Sequence, residues 1–354
     1  MMEKMNAAVL HKAGDIRYEK VNIPEIDDDD VLIKVAYCGV CGSDLPRTQK
    51  ENGARMYPLI IGHEFSGIVE KIGKNVSNIK LGQKVAVAPL VPNWDNLLSK
   101  EGYYGISDDA YIIGTGSNGA MAEYVKVPKE NVIALTGNID LLDAAGLEPA
   151  AIGFHACRRA DIKVGDTVMV LGCGSIGQFT IQCAKIFGAK KVIAVDIFDE
   201  KLDLAEELGA DITINSKKED IFKRVMEETD GFGPQVILET AGSHFTQTQS
   251  IQLVKKHGTV VLVGLSHAPL SLDATTLERI LRAEITLKGS WNSYTAPFPG
   301  RDWEGVLHFM ENGQIKFKKM ISHEITLEEL SNYLHGMSTK DIPFNKVVVK
   351  VEGE

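Results

Sequence analysis

The sequence predicts an α/β protein of two domains, a β-rich first half followed by a doubly wound parallel sheet. Three observations carry this. The chain has 354 residues, more than one domain usually holds. Before about residue 150, short apolar runs alternate with Gly, Asn and Pro punctuation, as strands and turns do. From Val164 the rhythm changes to strand, helix, strand on short connections.

In the first half VLIKVAYCGV, IIGHEFSGIVEKIG, GQKVAVAPL and MAEYVKVP read as strands. In the second, DTVMVLG, KKVIAVD, QVILET, GTVVLVGL and ITLKGS contribute to a layer of about six strands, with helix-compatible stretches between them. SIGQFTIQCAKIFG is the first of those helices: Ile176, Phe179 and Cys183 recur at helical spacing, and Gly188 stands where a left-handed cap would end it. DEKLDLAEELG reads as the next. After Ser290 the segment WNSYTAPFPG breaks the rhythm, and FNKVVVKVEGE returns to a strand expected to rejoin the first domain. The expected boundaries are 1–153 with 294–354 for the first domain and 154–293 for the second.

Composition narrows the function. Hydrophobic residues at 44% and charged residues at 24% suit a globular chain. No window approaches the ~18 apolar residues of a membrane span, and MMEKMNAAVLHKAGD has no signal core, so a cytoplasmic protein without a membrane partner is expected. A net charge of -10 with no basic stripe argues against nucleic acid as partner. The five cysteines point to free thiols or metal ligation rather than disulfides. The acidic run Asp27–Asp30 reads as a solvated loop.

Gly172-Cys173-Gly174-Ser175-Ile176-Gly177 is a G-x-G-x-x-G motif between a buried strand and a helix. Gly172 permits the tight turn, Gly174 lets backbone approach a pyrophosphate, and Gly177 lets helix and strand pack closely. Unpaired N–H groups and the positive dipole end of the helix, which begins at Ser175 and Ile176, face the phosphates. Asp196 closes the next strand 19 residues beyond Gly177, placed to bond ribose hydroxyls and repel a 2′-phosphate. NAD is therefore expected over NADP. Lys201 is a candidate for the same ribose, or else an exposed residue of a helix start.

Cys41, His63, Glu64 and Glu148 are the candidate metal donors, since zinc accepts thiolate, imidazole and carboxylate together and a catalytic site leaves one position open. Read singly, Cys41 is also a buried apolar thiol, His63 a core histidine and Glu148 a carboxylate at a helix start. Asp44 lies where a carboxylate could orient His63 through its other ring nitrogen, and Ser43 offers a hydroxyl to pass a proton outward. His155 reads as a core histidine.

Taken in order, CGVCGSD, GHEFSGIVEKIG, GQKVA, EYV, LEPA, GCGSIG, VIAVD and LETAG resemble the zinc-dependent medium-chain alcohol and polyol dehydrogenases over essentially the whole chain. The resemblance implies a GroES-like catalytic domain, a Rossmann domain, and a C-terminus that returns to the first. It implies a catalytic zinc on Cys41, His63 and Glu148, with Glu64 a neighbouring or exchanging ligand and Ser43 the start of a proton relay. It also implies a homo-oligomer, dimer or tetramer, acting on a small molecule. CGSDLPR, YPLIIGHEFSG and GSWNSYTAPFPGRDW are most similar to the branch acting on galactitol 1-phosphate, with tagatose 6-phosphate as product. Sorbitol, another polyol or threonine are the alternative substrates, and a non-catalytic NAD-binding role is the alternative of another class.

Many members of that family hold a second, structural zinc with four cysteines in a lobe after the GQKVA strand. Here those positions are Asn93, Asn96, Ser99 and Ser107, and neutral amides and hydroxyls do not replace thiolates. One catalytic ion per chain and no structural zinc are expected, with the lobe packed through Trp94, Leu97, Tyr103 and Tyr104. A phosphorylated substrate needs a cation, and Arg47 is the nearest candidate. Trp291, Asn292 and Tyr294 are candidates for the substrate pocket or for a packed hinge.

Overall fold

A computed structural model of the chain describes residues 3–266 and 268–351. It divides into two units. One comprises the chain up to Glu148, Tyr294–Asn312 and the chain from Lys316 onward; the other comprises Pro149–Ser293 with Gly313–Ile315. The first division thus falls at Glu148, inside helix Leu147–Ala160, where the sequence pattern placed it at 153.

The first unit is built on a seven-stranded sheet. Along it run Val132–Ala134, Lys84–Val87, Glu64–Ile72, Asp30–Gly39, Lys346–Lys350 and Ile321–Ile325, with Tyr124–Pro128 pairing to Asp30–Gly39. A three-stranded sheet of Asp15–Asn22, Lys4–Lys12 and Leu59–Ile60 packs its apolar face into the same core, which gathers Val9, Leu10, Ile33, Phe65, Val85, Met121 and Val349. The expected return of the C-terminus is present: Lys346–Lys350 lies antiparallel to Asp30–Gly39, with Val348 opposite Gly39 and Val349 opposite Cys38. The last three residues of that predicted strand lie outside the described residues.

One register positions the candidate site. Strands Asp30–Gly39 and Glu64–Ile72 are antiparallel, with Gly39 opposite Glu64 and Cys38 opposite Phe65. Antiparallel pairing brings the end of one strand to the start of the other, so the residues just after Gly39 and those just before Glu64 meet at one end of the sheet. Gly62 makes the approach possible: its φ is +101°, and a Cβ there would sit 2.8 Å from Cys38 Sγ and 2.9 Å from Met121 Cγ.

The second unit is a six-stranded parallel sheet in the order Ile212–Asn215, Lys191–Asp196, Thr167–Leu171, Val236–Glu239, Thr259–Leu262 and Thr286–Gly289. That is the doubly wound order, whose switch point falls beside its first strand, Thr167–Leu171. Helix Ser175–Ile186 comes after that strand and buries Phe179, Ile181 and Cys183, and the chain leaves it through Gly188 at φ +94°. Among the described residues no helix is long and apolar enough to cross a membrane.

The lobe after Lys84–Val87 is organised differently from expectation. Trp94 and Tyr104 do pack, edge to face at 5.6 Å, but Leu97 and Tyr103 are 70% and 55% exposed. Their place is taken by Phe298, which meets Trp94 at 5.5 Å and Tyr104 at 5.3 Å and stacks on Tyr294 at 5.5 Å. Tyr294 in turn accepts the Leu90 N–H at 3.0 Å through its hydroxyl. Asn96 caps helix Leu97–Lys100 by accepting the Leu98 N–H, and its amide donates to Asp109 at 3.0 Å. Phe298→Ala removes three ring contacts, each contributing roughly 0.5–1.5 kcal/mol. It is expected to lower the melting temperature and to open the 93–110 segment to limited proteolysis, while Leu97→Ala, at an exposed position, leaves both unchanged.

Candidate active site

At the shared end of the sheet, donor atoms of Cys41, His63 and Glu64 all lie within 4.8 Å of one another. Cys41 sits two residues past its strand, held by its backbone N–H, which donates to Asp44 Oδ2 at 3.0 Å. The Ser43 hydroxyl donates to the Cys41 sulfur at 3.2 Å. His63 is buried, and its Nδ1 has no hydrogen-bond partner. Glu148, at the start of helix Leu147–Ala160, lies outside that tight cluster but interacts electrostatically with His63 and Glu64.

The expected orienting bond from Asp44 to His63 is not formed. Asp44 Oδ1 stands 3.9 Å from His63 Nδ1, beyond hydrogen-bond reach. The carboxylate is committed elsewhere, to the Cys41 N–H and to the Arg47 guanidinium at 2.6 Å. Arg47 is accordingly no free surface residue: it gives one of its five donors to Asp44, and its side chain is largely buried.

Sequence reasoning missed Lys346. Its ammonium is buried, pairs with Glu64 and donates to the Val40 carbonyl oxygen at 3.0 Å. Burial opposes its charged form, yet Glu64, with Cys41 and Glu148, carries its pKa above the ordinary lysine value.

The electrostatics suit a cation. Burial, reinforced by Glu64 and Asp44, pushes the Cys41 thiol well up. Burial likewise raises Glu148 to about 7, with His63 opposing the rise and Glu64 adding to it. Acidic donors raised by burial beside an imidazole are what a divalent ion would stabilise. Thiolate, imidazole and carboxylate together are a donor set for zinc.

In the second unit the three glycines differ. Gly172 turns at φ +96°. A Cβ on Gly174, which precedes helix Ser175–Ile186, would meet nothing within 4 Å, so the space over the helix N-terminus is open. A Cβ on Gly177 would overlap the Gly172 carbonyl oxygen and stand 3.0 Å from Thr240 Oγ1. Ser175 and Ile176 open the helix. Asp196 ends strand Lys191–Asp196 and accepts N–H groups from Cys173 at 2.7 Å, Ile197 at 2.7 Å and Phe198 at 3.1 Å. Lys201 lies over the Phe198 ring at 5.2 Å.

The comparisons with known proteins agree with this fold. Residues 27–137 match the alcohol dehydrogenase GroES-like domain, and residues 175–312 match the zinc-binding dehydrogenase domain. A curated relative, galactitol 1-phosphate 5-dehydrogenase of Escherichia coli K12, is 36% identical over 96% of this chain and 98% of its own. The chain belongs to the zinc-type alcohol and polyol dehydrogenases. The crystal structure of galactitol-1-phosphate dehydrogenase from E. coli superposes with a TM-score of 0.93 at 35% identity, covering 98% of this chain and 100% of that one. The family also includes sorbitol dehydrogenase of Bombyx mori, 33% identical over 94% of this chain and 95% of its own. A zinc-binding dehydrogenase from Sinorhizobium meliloti bound to NADP has a TM-score of 0.90 at 30% identity, covering 99% of this chain and 100% of that one.

The other candidates from the sequence are spread over both units. Trp291, 51% exposed, and Asn292 belong to the second unit, and Tyr294 to the first. His155 is buried with its Nδ1 3.3 Å from Arg158, as a core histidine. Of the four lobe positions, Asn93 is exposed, Asn96 is a helix cap, and Ser99 and Ser107 are buried.

The glycine geometry separates two variants. Gly174→Ala fits the free protein and is expected to leave its melting temperature unchanged while weakening nucleotide binding at least about tenfold, or 1.4 kcal/mol. Gly177→Ala is expected to lower the melting temperature itself. Thermal melts and NADH fluorescence titration read the two effects apart.

Proposed function

We propose that this chain oxidises a secondary hydroxyl of a polyol phosphate, with galactitol 1-phosphate as substrate, tagatose 6-phosphate as product and NAD as hydride acceptor. The observation that carries the reading is the convergence of donor atoms of Cys41, His63 and Glu64 within 4.8 Å of one another. In this reading Cys41, His63 and a carboxylate from Glu148 or Glu64 hold a single zinc, which supplies Lewis acidity toward a substrate hydroxyl. The four lobe positions offer only amides and hydroxyls, so no second zinc is part of it.

The chain's own residues account for the rest. Ser43 is exposed and already donates toward the Cys41 sulfur, so its Oγ is placed to receive the hydroxyl proton and release it to water. Asp44 fixes the Cys41 backbone and, through Arg47, ties the donor loop to the following helix. Donors of the Arg47 guanidinium not used by Asp44 are the proposed phosphate contact. Gly172, Gly174 and Gly177 cradle the pyrophosphate, and Asp196, with Lys201, takes the ribose hydroxyls, which favours NAD over NADP. Trp291 and Asn292 remain candidates for the substrate pocket. The reading also includes a cytoplasmic homo-oligomer, in keeping with five free cysteines.

Metal analysis is expected to find about one zinc per chain, and chelation to abolish polyol oxidation; substoichiometric zinc with undiminished activity after chelation sinks the reading. Galactitol 1-phosphate is expected to show a KM at least about tenfold below galactitol or sorbitol, since charge-assisted contacts are the strong ones. Arg47→Ala should raise that KM and leave the unphosphorylated sugars comparatively unaffected. If the unphosphorylated sugars serve equally well, Arg47 is not a phosphate contact. Comparison of NAD with NADP tests the Asp196 assignment.

A further inference from the structure

The second unit buries an acidic side chain that neither the glycine motif nor the chemistry above uses. Glu239 ends strand Val236–Glu239 and is wholly buried. In the sheet that strand lies beside Thr167–Leu171, on the side away from Lys191–Asp196. Its carboxyl end therefore borders the switch-point crevice, where sheets of this order bind their ligands. Among the described residues no cation pairs with Glu239. A buried carboxylate without a cation is costly unless hydrogen-bond donors surround it, so the donors it gathers show what it holds in place.

All of them belong to the segment that follows it. Oε1 accepts the Gly242 N–H at 2.8 Å and the Thr246 hydroxyl at 2.8 Å, the latter shared with the Ser243 carbonyl oxygen. Burial raises the Glu239 pKa, while Thr246 and the N–H groups of Gly242, Ala241 and Ser243 favour its charged form. The carboxylate thus gathers residues 241–243 around itself, with Gly242 at φ +68°. The same segment is pressed against the nucleotide loop. The Thr240 and Ala241 N–H groups both donate to the Leu171 carbonyl oxygen, at 2.9 and 3.0 Å, and the Thr240 hydroxyl donates to the Gly172 carbonyl oxygen at 2.7 Å. A Cβ on Gly172 would stand 2.8 Å from both the N and the Cβ of Ala241, so the two chains meet without slack. The glycine turn is held from two sides: Asp196 takes the Cys173 N–H on one, and residues 240–241 take the Leu171 and Gly172 carbonyl oxygens on the other.

Resting on the dinucleotide-binding reading of the glycine motif, we propose that Glu239 is a positioning residue for the cofactor. It folds residues 241–243 around its carboxylate, and through Thr240 and Ala241 that segment sets the Gly172 turn. The sign of the effect separates this role from a plain charge effect. A carboxylate bordering a pyrophosphate site repels the ligand, so loss of its charge alone would tighten nucleotide binding. Where the carboxylate holds the turn, its loss weakens binding instead. A role confined to folding would lower the melting temperature and leave the affinity of the folded protein unchanged.

The test is NADH fluorescence titration of the full chain and its variants, run well below the melting temperature of each. Failure of the wild type to bind NADH overturns the dinucleotide reading itself. With binding established, Glu239→Gln is expected to raise the Kd for NADH by about tenfold, the scale of one hydrogen bond to a charged group. An unchanged or lower Kd overturns the inference and leaves the nucleotide site intact. Thr246→Val removes a donor to the same carboxylate and is expected to weaken NADH binding in the same direction, whereas Thr246→Ser, which keeps the hydroxyl, should return the wild-type Kd. Equal weakening by the valine and serine variants overturns the inference, because the hydroxyl is then not the cause. Should Glu239→Gln not fold, the Thr246 pair alone decides: weakening by valine that serine reverses supports the inference, and a wild-type Kd in Thr246→Val overturns it.

Discussion

The pairing of Gly39 with Glu64 is the constraint on which the rest depends. These two residues sit opposite each other where one strand ends and its antiparallel neighbour begins, so a thiol two residues beyond the first and an imidazole one residue before the second arrive together. Lys346–Lys350 adds a third strand at the same end, with Val348 opposite Gly39 and the Val40 N–H bonded to the Val347 carbonyl oxygen at 2.9 Å. A slip of one residue would turn every side chain of a strand to the other face, taking Glu64 out of the pocket and moving Lys346 from its partner. The apolar residues around the site, among them Cys38, Phe65 and Val347, are wholly buried or nearly so. They hold the register, and the register holds the donors.

Charge is the second half of that argument. Buried acidic groups raise one another's pKa values and weaken the anionic form on which metal binding relies. Here burial lifts both Cys41 and Glu148, while Glu64 is paired with a lysine that arrives from the far end of the chain. A divalent ion held by these donors, as proposed, would offset that cost and so would supply stability as well as chemistry. The cofactor unit solves a simpler problem. There the donors are backbone N–H groups at a helix start, and the Asp196 carboxylate steadies the loop by accepting from Cys173.

How much was legible in the sequence depends on how local each signal is. The three glycines of the nucleotide loop act within a few residues of one another, so their separate tasks of turning, leaving room and packing close could be read from order alone. The six-strand rhythm was legible for the same reason. Cys41, His63 and Glu64 were legible as residue types, although their meeting depends on a pairing that only the fold supplies. Lys346 was not legible: in FNKVVVKVEGE it looks like the polar half of an alternating strand, and its partner lies 282 residues away. Asp44 was legible only in part, for a related reason. Its proximity to His63 agrees with the spacing, but the choice between His63 and Arg47 is made by side-chain geometry, and Arg47, on the next turn of the same short helix, is nearer. The lobe shows the same limit, since Phe298 reaches it from a segment about two hundred residues downstream.

Membership of the family fixes the reaction more firmly than it fixes the substrate, and Asp44 shows why the two are hard to separate in this chain. One of its oxygens accepts the Cys41 N–H and the other the Arg47 guanidinium, so the residue that steadies the Cys41 backbone also orients the proposed phosphate contact. A phosphate drawing Arg47 toward itself would pull on the same carboxylate that sets the position of the thiol. Substrate recognition through Arg47 would then be transmitted to the donor loop by two hydrogen bonds. In such an arrangement a phosphorylated polyol differs from its parent sugar in how well the site is arranged once it is bound, as well as in how tightly it binds, because binding energy from a remote group is then spent on positioning the reacting one.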